Sequence, residues 1–169
     1  MIRLTLVAAV LCLCASQASA RSILFIGNSF TFGSHSAAKH YRTETVHDLN
    51  QPDARGETIG GVPALFKAFT VEAGLENYDV SVETVGGKGF DFHIAEKRAL
   101  IDKPWDVVVG HGFSTLDQAR PGNPAVLVST AKQMSDLLSA RNPEVKFYIL
   151  ATWSRADMTY PDGTPWHGK

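Results

Sequence analysis

Cysteine is scarce in this sequence, and an excess of charge of either sign is absent. The 169 residues include only two cysteines, Cys12 and Cys14, and both lie close to the N-terminus. The chain has 16 Lys and Arg residues against 17 Asp and Glu residues, which gives a formal net charge of −1 at pH 7. Because proteins that bind nucleic acid usually present a basic face, this balance argues against a nucleic-acid partner.

Long apolar runs are also lacking, apart from the segment between Leu4 and Ala15. That segment is too short for a helix that crosses a bilayer of about 30 Å. It is followed by Ala18-Ser19-Ala20, a small-x-small cleavage pattern. We therefore predict that residues 1–20 are a signal peptide and that the mature chain, 21–169, is secreted or periplasmic, without stable membrane insertion. The alternative is an N-terminal membrane anchor.

Removal of this segment would leave a mature chain without cysteine, and therefore without a disulfide or a cysteine-based metal site. The chain would therefore use no disulfide, although the compartment of an exported protein permits disulfides. Three histidines, His35, His40 and His47, fall in one polar stretch, but their spacings of five and seven match no compact metal-binding motif. We expect neither a metal nor a cofactor.

Strand-like and helix-like patterns alternate along the mature chain. The predicted strands cover residues 23–26, 78–85, 105–109 and 145–152, and the second of them alternates as a half-buried strand does. The predicted helices cover residues 62–73, 93–101 and 124–140. A polar stretch, 34–58, is predicted to be a long surface excursion. This order predicts one α/β domain with three layers, α/β/α, around a flavodoxin-like parallel sheet.

Chemically useful residues follow three of these strands. Ser29 follows the first strand, Gly87 the second and His111 the third. In a flavodoxin-like order the second and third strands flank the first, and ligands bind beyond the carboxyl ends of the strands. We therefore expect these three residues to converge at one edge of the sheet.

This set of residues suits nucleophilic catalysis, although each residue also has a structural interpretation. A serine nucleophile needs a base for its proton and N–H donors for the oxyanion, and the glycine-rich turn that contains Gly87 could supply one donor. Ser29 could instead cap a helix. Gly87 could be needed only because a tight turn requires a positive φ there. The ring of His111 could simply form hydrogen bonds with the local backbone. His93 is expected to pack or to cap a helix.

Three blocks of this chain resemble those of the SGNH hydrolases, which are also called GDSL-type esterases. ILFIGNSFTFG, from residue 23, resembles the first block, with Gly-Asn-Ser in place of Gly-Asp-Ser, and GGKGFDFH resembles the second. WDVVVGHGFSTLD occupies the place of the third, and the segment from Ala151 resembles the region after the fourth strand. The resemblance implies that Ser29 is the nucleophile and that Gly87 donates its backbone N–H to the oxyanion. We expect Asn28 to stabilise the loop.

Two departures from the family pattern stand out. The third block normally carries an Asn that donates to the oxyanion, whereas this chain has His111, which could act as a donor, as a pocket wall or as the base. The base of the family lies in an Asp-x-x-His block near the C-terminus, but here Asp162 and His167 are five residues apart. We interpret the chain as C-terminally incomplete, without a last strand and helix, and such a chain could be inactive.

The leading hypothesis is an exported serine ester hydrolase that forms an acyl-enzyme on Ser29. Its partner would be a small-molecule, glycan or lipid ester. One alternative is a non-catalytic SGNH-like protein that binds a ligand without a base. A second alternative is a flavodoxin-like protein that binds FMN, since the segment from Asn28 to Gly33 faintly resembles a phosphate-binding loop.

Overall fold

The computed structural model describes residues 20–50, 56–75, 77–152, 160–164 and 167. The predicted signal peptide therefore lies outside the described residues, except for Ala20. Most of the segment after Ala151 lies outside them as well. In the described ranges, no helix combines the length and the apolar character that a membrane span requires.

Five parallel strands form a single sheet. They are β1 (Arg21–Gly27), β2 (His47–Asp48), β3 (Tyr78–Thr84), β4 (Val107–Gly110) and β5 (Lys146–Ile149). Their order is β2-β3-β1-β4-β5, so β1 lies between β3 and β4 as the sequence predicted. Gly27 pairs with Thr84, and Ile26 pairs with Gly110. The carboxyl ends of the three central strands therefore meet at one edge.

Five α-helices connect these strands: α1 (Ser29–Phe32), α2 (Gly61–Glu72), α3 (Phe90–Glu96), α4 (Arg98–Ile101) and α5 (Ala125–Arg141). Two short 3-10 helices, Ala37–His40 and Thr43–Thr45, precede β2. The positions of α2 and α5 confirm the predicted helices there. The helix predicted over 93–101 begins earlier, at Phe90, and is interrupted at Lys97, which separates α3 from α4.

Alternate residues of β1 face opposite sides of the sheet, and each side has its own hydrophobic core. Leu24 and Ile26 pack in one core with residues of α3, α4 and α5. Ile23 and Phe25 pack in the other with residues of β3 and α2. This arrangement confirms the three-layer α/β/α prediction.

Part of the polar stretch 34–58 belongs to the sheet, so its interpretation as a surface excursion is wrong there. Val46 is buried, and His47 pairs with Ser81 of β3. The backbone N–H of Leu49 donates to the carbonyl of Val82. A strand of two residues is too short to produce a periodic pattern, and for this reason the sequence did not reveal it.

The half-buried character predicted for β3 is also wrong. Val80 and Val82 are buried as expected, but Ser81 and Glu83 on the opposite face are buried too. Polar residues at alternate positions normally indicate a solvent-facing side. Here α3 covers that side, and a histidine from this helix faces Glu83.

Candidate active site

Ser29 is the first residue of α1, directly beyond the end of β1. The helix is capped by Asn28 rather than by Ser29, because Oδ1 of Asn28 accepts a hydrogen bond of 3.3 Å from the N–H of Phe30. The helix ends at Gly33, whose left-handed φ of 70° closes the turn. Ser29 is partly exposed, and its hydroxyl has no hydrogen-bond partner among the described residues, so it is not engaged in capping.

The amide of Asn28 joins the loops that follow three strands. Its Nδ2 donates to the carbonyl of Lys88 at 2.8 Å and to the carbonyl of Gly112 at 3.3 Å. Asn28 is only 2% exposed, so these bonds are shielded from water. The expectation that Asn28 stabilises the loop is confirmed, and the loops after β1, β3 and β4 are held together at this one side chain.

Gly87 lies at the tip of the turn that follows β3. Its φ is +69°, in the region that favours glycine, and nothing would contact an added Cβ. Conformation rather than space therefore demands glycine here. The turn is anchored where the N–H of Lys88 donates to the carbonyl of Val85, and the N–H of Val85 donates to the carbonyl of Gly27. This geometry fits the turn interpretation of Gly87, and its role as an oxyanion donor stays a prediction.

Both ring nitrogens of His111 are engaged inside the protein. Nδ1 lies 2.9 Å from the carbonyl oxygen of Gly112, which can only accept, so Nδ1 carries the proton. Nε2 lies 2.8 Å from Oγ1 of Thr31 and therefore accepts from that hydroxyl. Burial lowers the pKa of His111, the hydrogen bond to Gly112 opposes this, and the electrostatic interaction with His93 lowers the pKa further. The neutral ring has no N–H left for an oxyanion, which favours the locally satisfied interpretation.

Gly27 makes the contact between Thr31 and His111 possible. A Cβ at residue 27 would lie 2.2 Å from Oγ1 of Thr31 and 2.6 Å from Nε2 of His111. Real Cβ atoms do not approach other atoms so closely, so the two side chains meet over the bare backbone of Gly27. The sequence analysis did not identify Thr31, because no local pattern connects it with a residue 80 positions away.

A second buried pair, Glu83 and His93, connects β3 with α3. The carboxylate of Glu83, near the end of β3, contacts Nδ1 of His93 in α3, and both side chains are fully buried. The turn that carries Gly87 lies between these two residues in the chain. The expectation that His93 packs is confirmed, but its partner Glu83 was missed because it resembled a solvent-facing residue.

Two other histidines, His167 and His47, each face a carboxylate rather than Ser29. Nε2 of His167 is 3.5 Å from Oδ1 of the exposed Asp162, and Nε2 of His47 is 2.9 Å from Oδ1 of Asp79. Within the described ranges, no three or more His, Cys, Asp or Glu side chains are grouped as they would be around a metal ion. In the same ranges, neither an imidazole nor a carboxylate hydrogen-bonds to Ser29.

Solved structures resemble this chain, whereas no family model and no curated protein matches it. TesA superimposes with a TM-score of 0.58 over 81% of this chain and 63% of TesA, at 16% sequence identity. A candidate SGNH hydrolase from Slackia heliotrinireducens gives a TM-score of 0.47 at 18% identity, over 79% of this chain and 57% of its own. An extracellular lipase from Streptomyces rimosus gives 0.46 at 12% identity, over 77% and 59%.

The similarity to TesA shows that this chain has the SGNH-hydrolase fold, which confirms the fold that the sequence blocks implied. At 16% identity the similarity shows the fold alone. The chain spans 63% of the length of TesA.

Proposed function

We propose that this chain is an exported serine ester hydrolase of the SGNH type, with Ser29 as the nucleophile. The observation that carries the proposal is the pair of hydrogen bonds from Asn28 to the carbonyls of Lys88 and Gly112. These bonds hold the Ser29 helix against the Gly87 turn, on a fold shared with TesA.

In the proposed reaction, Oγ of Ser29 attacks the ester carbonyl carbon while a general base takes the hydroxyl proton. The carbonyl oxygen becomes the oxyanion, which accepts hydrogen bonds from the backbone N–H groups of Ser29 and Gly87. The intermediate collapses, the C–O bond to the alcohol breaks, and the alcohol leaves with the proton held by the base. Water then cleaves the acyl-enzyme and restores Ser29. The proposal assigns no residue as the base.

Replacement of Ser29 tests the proposal in the full-length protein. Ser29→Ala is expected to abolish hydrolysis of 4-nitrophenyl acetate, because the nucleophile is lost. Ser139→Ala is the matched control, since Ser139 is an exposed serine of α5, and it should leave the rate unchanged. Activity retained in Ser29→Ala would refute the assignment.

A non-catalytic binding protein on the same fold is the second candidate. It is favoured by one observation, the lack of a base in contact with Ser29 among the described residues. A fluorophosphonate that reacts with activated serines separates the two candidates. Labelling that disappears in Ser29→Ala supports the hydrolase, whereas a well-folded full-length protein that is never labelled supports the binding function.

Export is the part of the proposal that depends on residues 1–20. The small-x-small pattern that ends at Ala20 supports it. N-terminal sequencing of protein recovered from outside the cytoplasm should begin at Arg21. Protein retained in the cytoplasm with its first residues intact would contradict export.

A further inference from the structure

A cleft of about 410 Å³ lies beside the Gly87 turn, between α3 and the loop that begins at Phe113. Its volume falls in the range of roughly 300–1,000 Å³ that is usual for small-ligand sites. Gly87 itself lines the cleft. If the N–H of Gly87 meets the oxyanion, as in the proposed function on which this inference rests, the ester carbonyl lies next to Gly87 at the edge of this space, and a group attached to it can enter the cleft.

Carboxylates line the cleft on its α3 side. Asp91 and Glu96 are both exposed lining residues, and neither has an ion-pair partner in the part of the chain that the structure describes. An acyl chain placed against them would displace water from two charged groups without offering them a hydrogen bond in return. Hydroxyl groups would instead donate hydrogen bonds to them. The cleft therefore disfavours a long acyl chain.

The loop side of the cleft contributes a third carboxylate, that of Asp117, which is already satisfied. It accepts hydrogen bonds from the backbone N–H groups of Ala119 and Arg120 and lies 3.3 Å from Nε of Arg120. These bonds, led by the one from the Arg120 backbone, hold its pKa below the usual value. Asp117 thus stabilises the loop and leaves Asp91 and Glu96 as the acceptors available to a ligand.

Apolar side chains also line the cleft, next to these hydrogen-bond acceptors. Phe92 and Phe113 both line the cleft, and Nζ of Lys88 lies 5.0 Å from the centre of the Phe92 ring. A sugar ring offers apolar C–H faces for packing against phenylalanine, and hydroxyls that donate to carboxylates or accept from an ammonium group. A lipid chain would use the two rings but not the charged groups.

We propose that this cleft binds a hydroxyl-rich group such as a sugar, and that the substrate is a carbohydrate ester. Three carboxylates line the cleft, and the one of Asp117 is paired with Arg120. Asp91 and Glu96 would repel an anionic ligand, whereas the hydroxyls of a neutral sugar would donate hydrogen bonds to them.

Two acetates with different alcohols test the proposal in the full-length protein. Glucose 6-acetate and hexyl acetate share the acyl group, and only the first has hydroxyls for the cleft. We expect kcat/KM to be at least about tenfold higher for glucose 6-acetate, a difference of about 1.4 kcal/mol. Equal or higher kcat/KM for hexyl acetate, or a rate that rises from 4-nitrophenyl acetate to 4-nitrophenyl octanoate, would overturn the proposal.

The double variant Asp91→Ala/Glu96→Ala assigns the preference to the cleft. It should reduce the ratio of kcat/KM for glucose 6-acetate over hexyl acetate at least about fivefold, mainly through KM for the sugar ester. Glu72→Ala/Glu144→Ala also removes two exposed carboxylates, but neither of them lines the cleft. This control should keep the ratio of the unmodified protein. An unchanged ratio in the Asp91/Glu96 variant would refute the assignment.

A binding measurement separates failure of this inference from failure of the proposed function. If 4-nitrophenyl acetate is not hydrolysed, the hydrolase proposal fails, and the cleft is tested by calorimetric titration with glucose 6-acetate. Binding that the Asp91→Ala/Glu96→Ala variant loses would support a sugar site without catalysis. The absence of binding to the unmodified protein would overturn the inference.

Discussion

The hydroxyl of Thr31 lies 2.8 Å from Nε2 of His111, and this buried contact joins the helix that carries Ser29 to the loop after β4. A helix of four residues is not stable by itself, because the first turn fixes many dihedral angles for a single hydrogen bond. The orientation of Ser29 therefore depends on contacts such as this one and on the hydrogen bonds of Asn28.

Thr31→Val tests the contribution of this contact. Valine has nearly the shape of threonine but donates no hydrogen bond, so Nε2 of His111 would remain buried and unsatisfied. We expect a loss of about 1–3 kcal/mol in the free energy of unfolding, measured by urea denaturation. Thr45→Val is the control, because the bond from Thr45 to the Arg42 carbonyl is exposed to solvent and should matter little. Equal stability of the two variants would contradict this view.

Gly27→Ala should be destabilising for a steric reason. Its methyl group would meet Oγ1 of Thr31 at 2.2 Å, and the overlap should cost about 1–3 kcal/mol of unfolding free energy. Thr31→Ala removes that oxygen. The double variant should therefore lose less stability than the sum of the two single losses, which a double-mutant cycle measures. Strict additivity would show that the clash lies elsewhere.

Asn28→Asp restores the Gly-Asp-Ser pattern of the family and should nevertheless destabilise this chain. Nδ2 of Asn28 donates to two carbonyl oxygens, whereas an aspartate would place an acceptor opposite both. We expect a loss of about 1–3 kcal/mol in the free energy of unfolding at neutral pH. Protonation supplies a donor, so the loss should shrink as the pH falls towards 4, which urea melts at several pH values would reveal. A loss that is independent of pH would contradict this explanation.

The sequence was sufficient to predict the order of the three central strands, β3-β1-β4, but not the edge strand β2. Apolar runs such as the one before Gly27 locate the strands, and parallel topology then places Gly87 and His111 beside Ser29 without knowledge of any side chain. The positive φ of Gly87 was also predictable, because a glycine-rich turn after a strand indicates it.

Side-chain partners were much harder to predict. Thr31 and His111 are 80 residues apart, and neither belongs to a periodic pattern that specifies the contact. Glu83 resembled a solvent-facing residue, because it is a polar residue in a strand where polar and apolar residues alternate. Such a pattern cannot reveal that a buried partner comes from a helix. For His111 the sequence left open an oxyanion donor, a pocket wall, a base and a locally satisfied ring, and the contacts of both ring nitrogens favour the last of these.

The lowered pKa of His111 predicts a specific pH dependence of stability. Because burial favours the neutral ring in the folded protein, the unfolded chain, with a pKa near 6.5, takes up the proton first. The contribution is complete above pH 6.5 and is lost as the pH falls through the lower pKa of the folded state. His111→Gln cannot be protonated, so its melting temperature should fall less steeply below pH 6.5. Parallel slopes for the two proteins would exclude His111 as the source.

Glu83 and His93 should be far more sensitive to single replacement than to joint replacement. Both side chains are fully buried, so His93→Ala would leave a carboxylate without its partner inside the core. Breaking a buried pair in this way costs about 3–5 kcal/mol, whereas replacing both members with apolar residues of similar size is often close to neutral. We therefore expect Glu83→Met/His93→Leu to unfold at a higher urea concentration than either single variant. If the two single losses simply add in the double variant, the pair is not coupled, and α3 must be held over β3 by its apolar contacts alone.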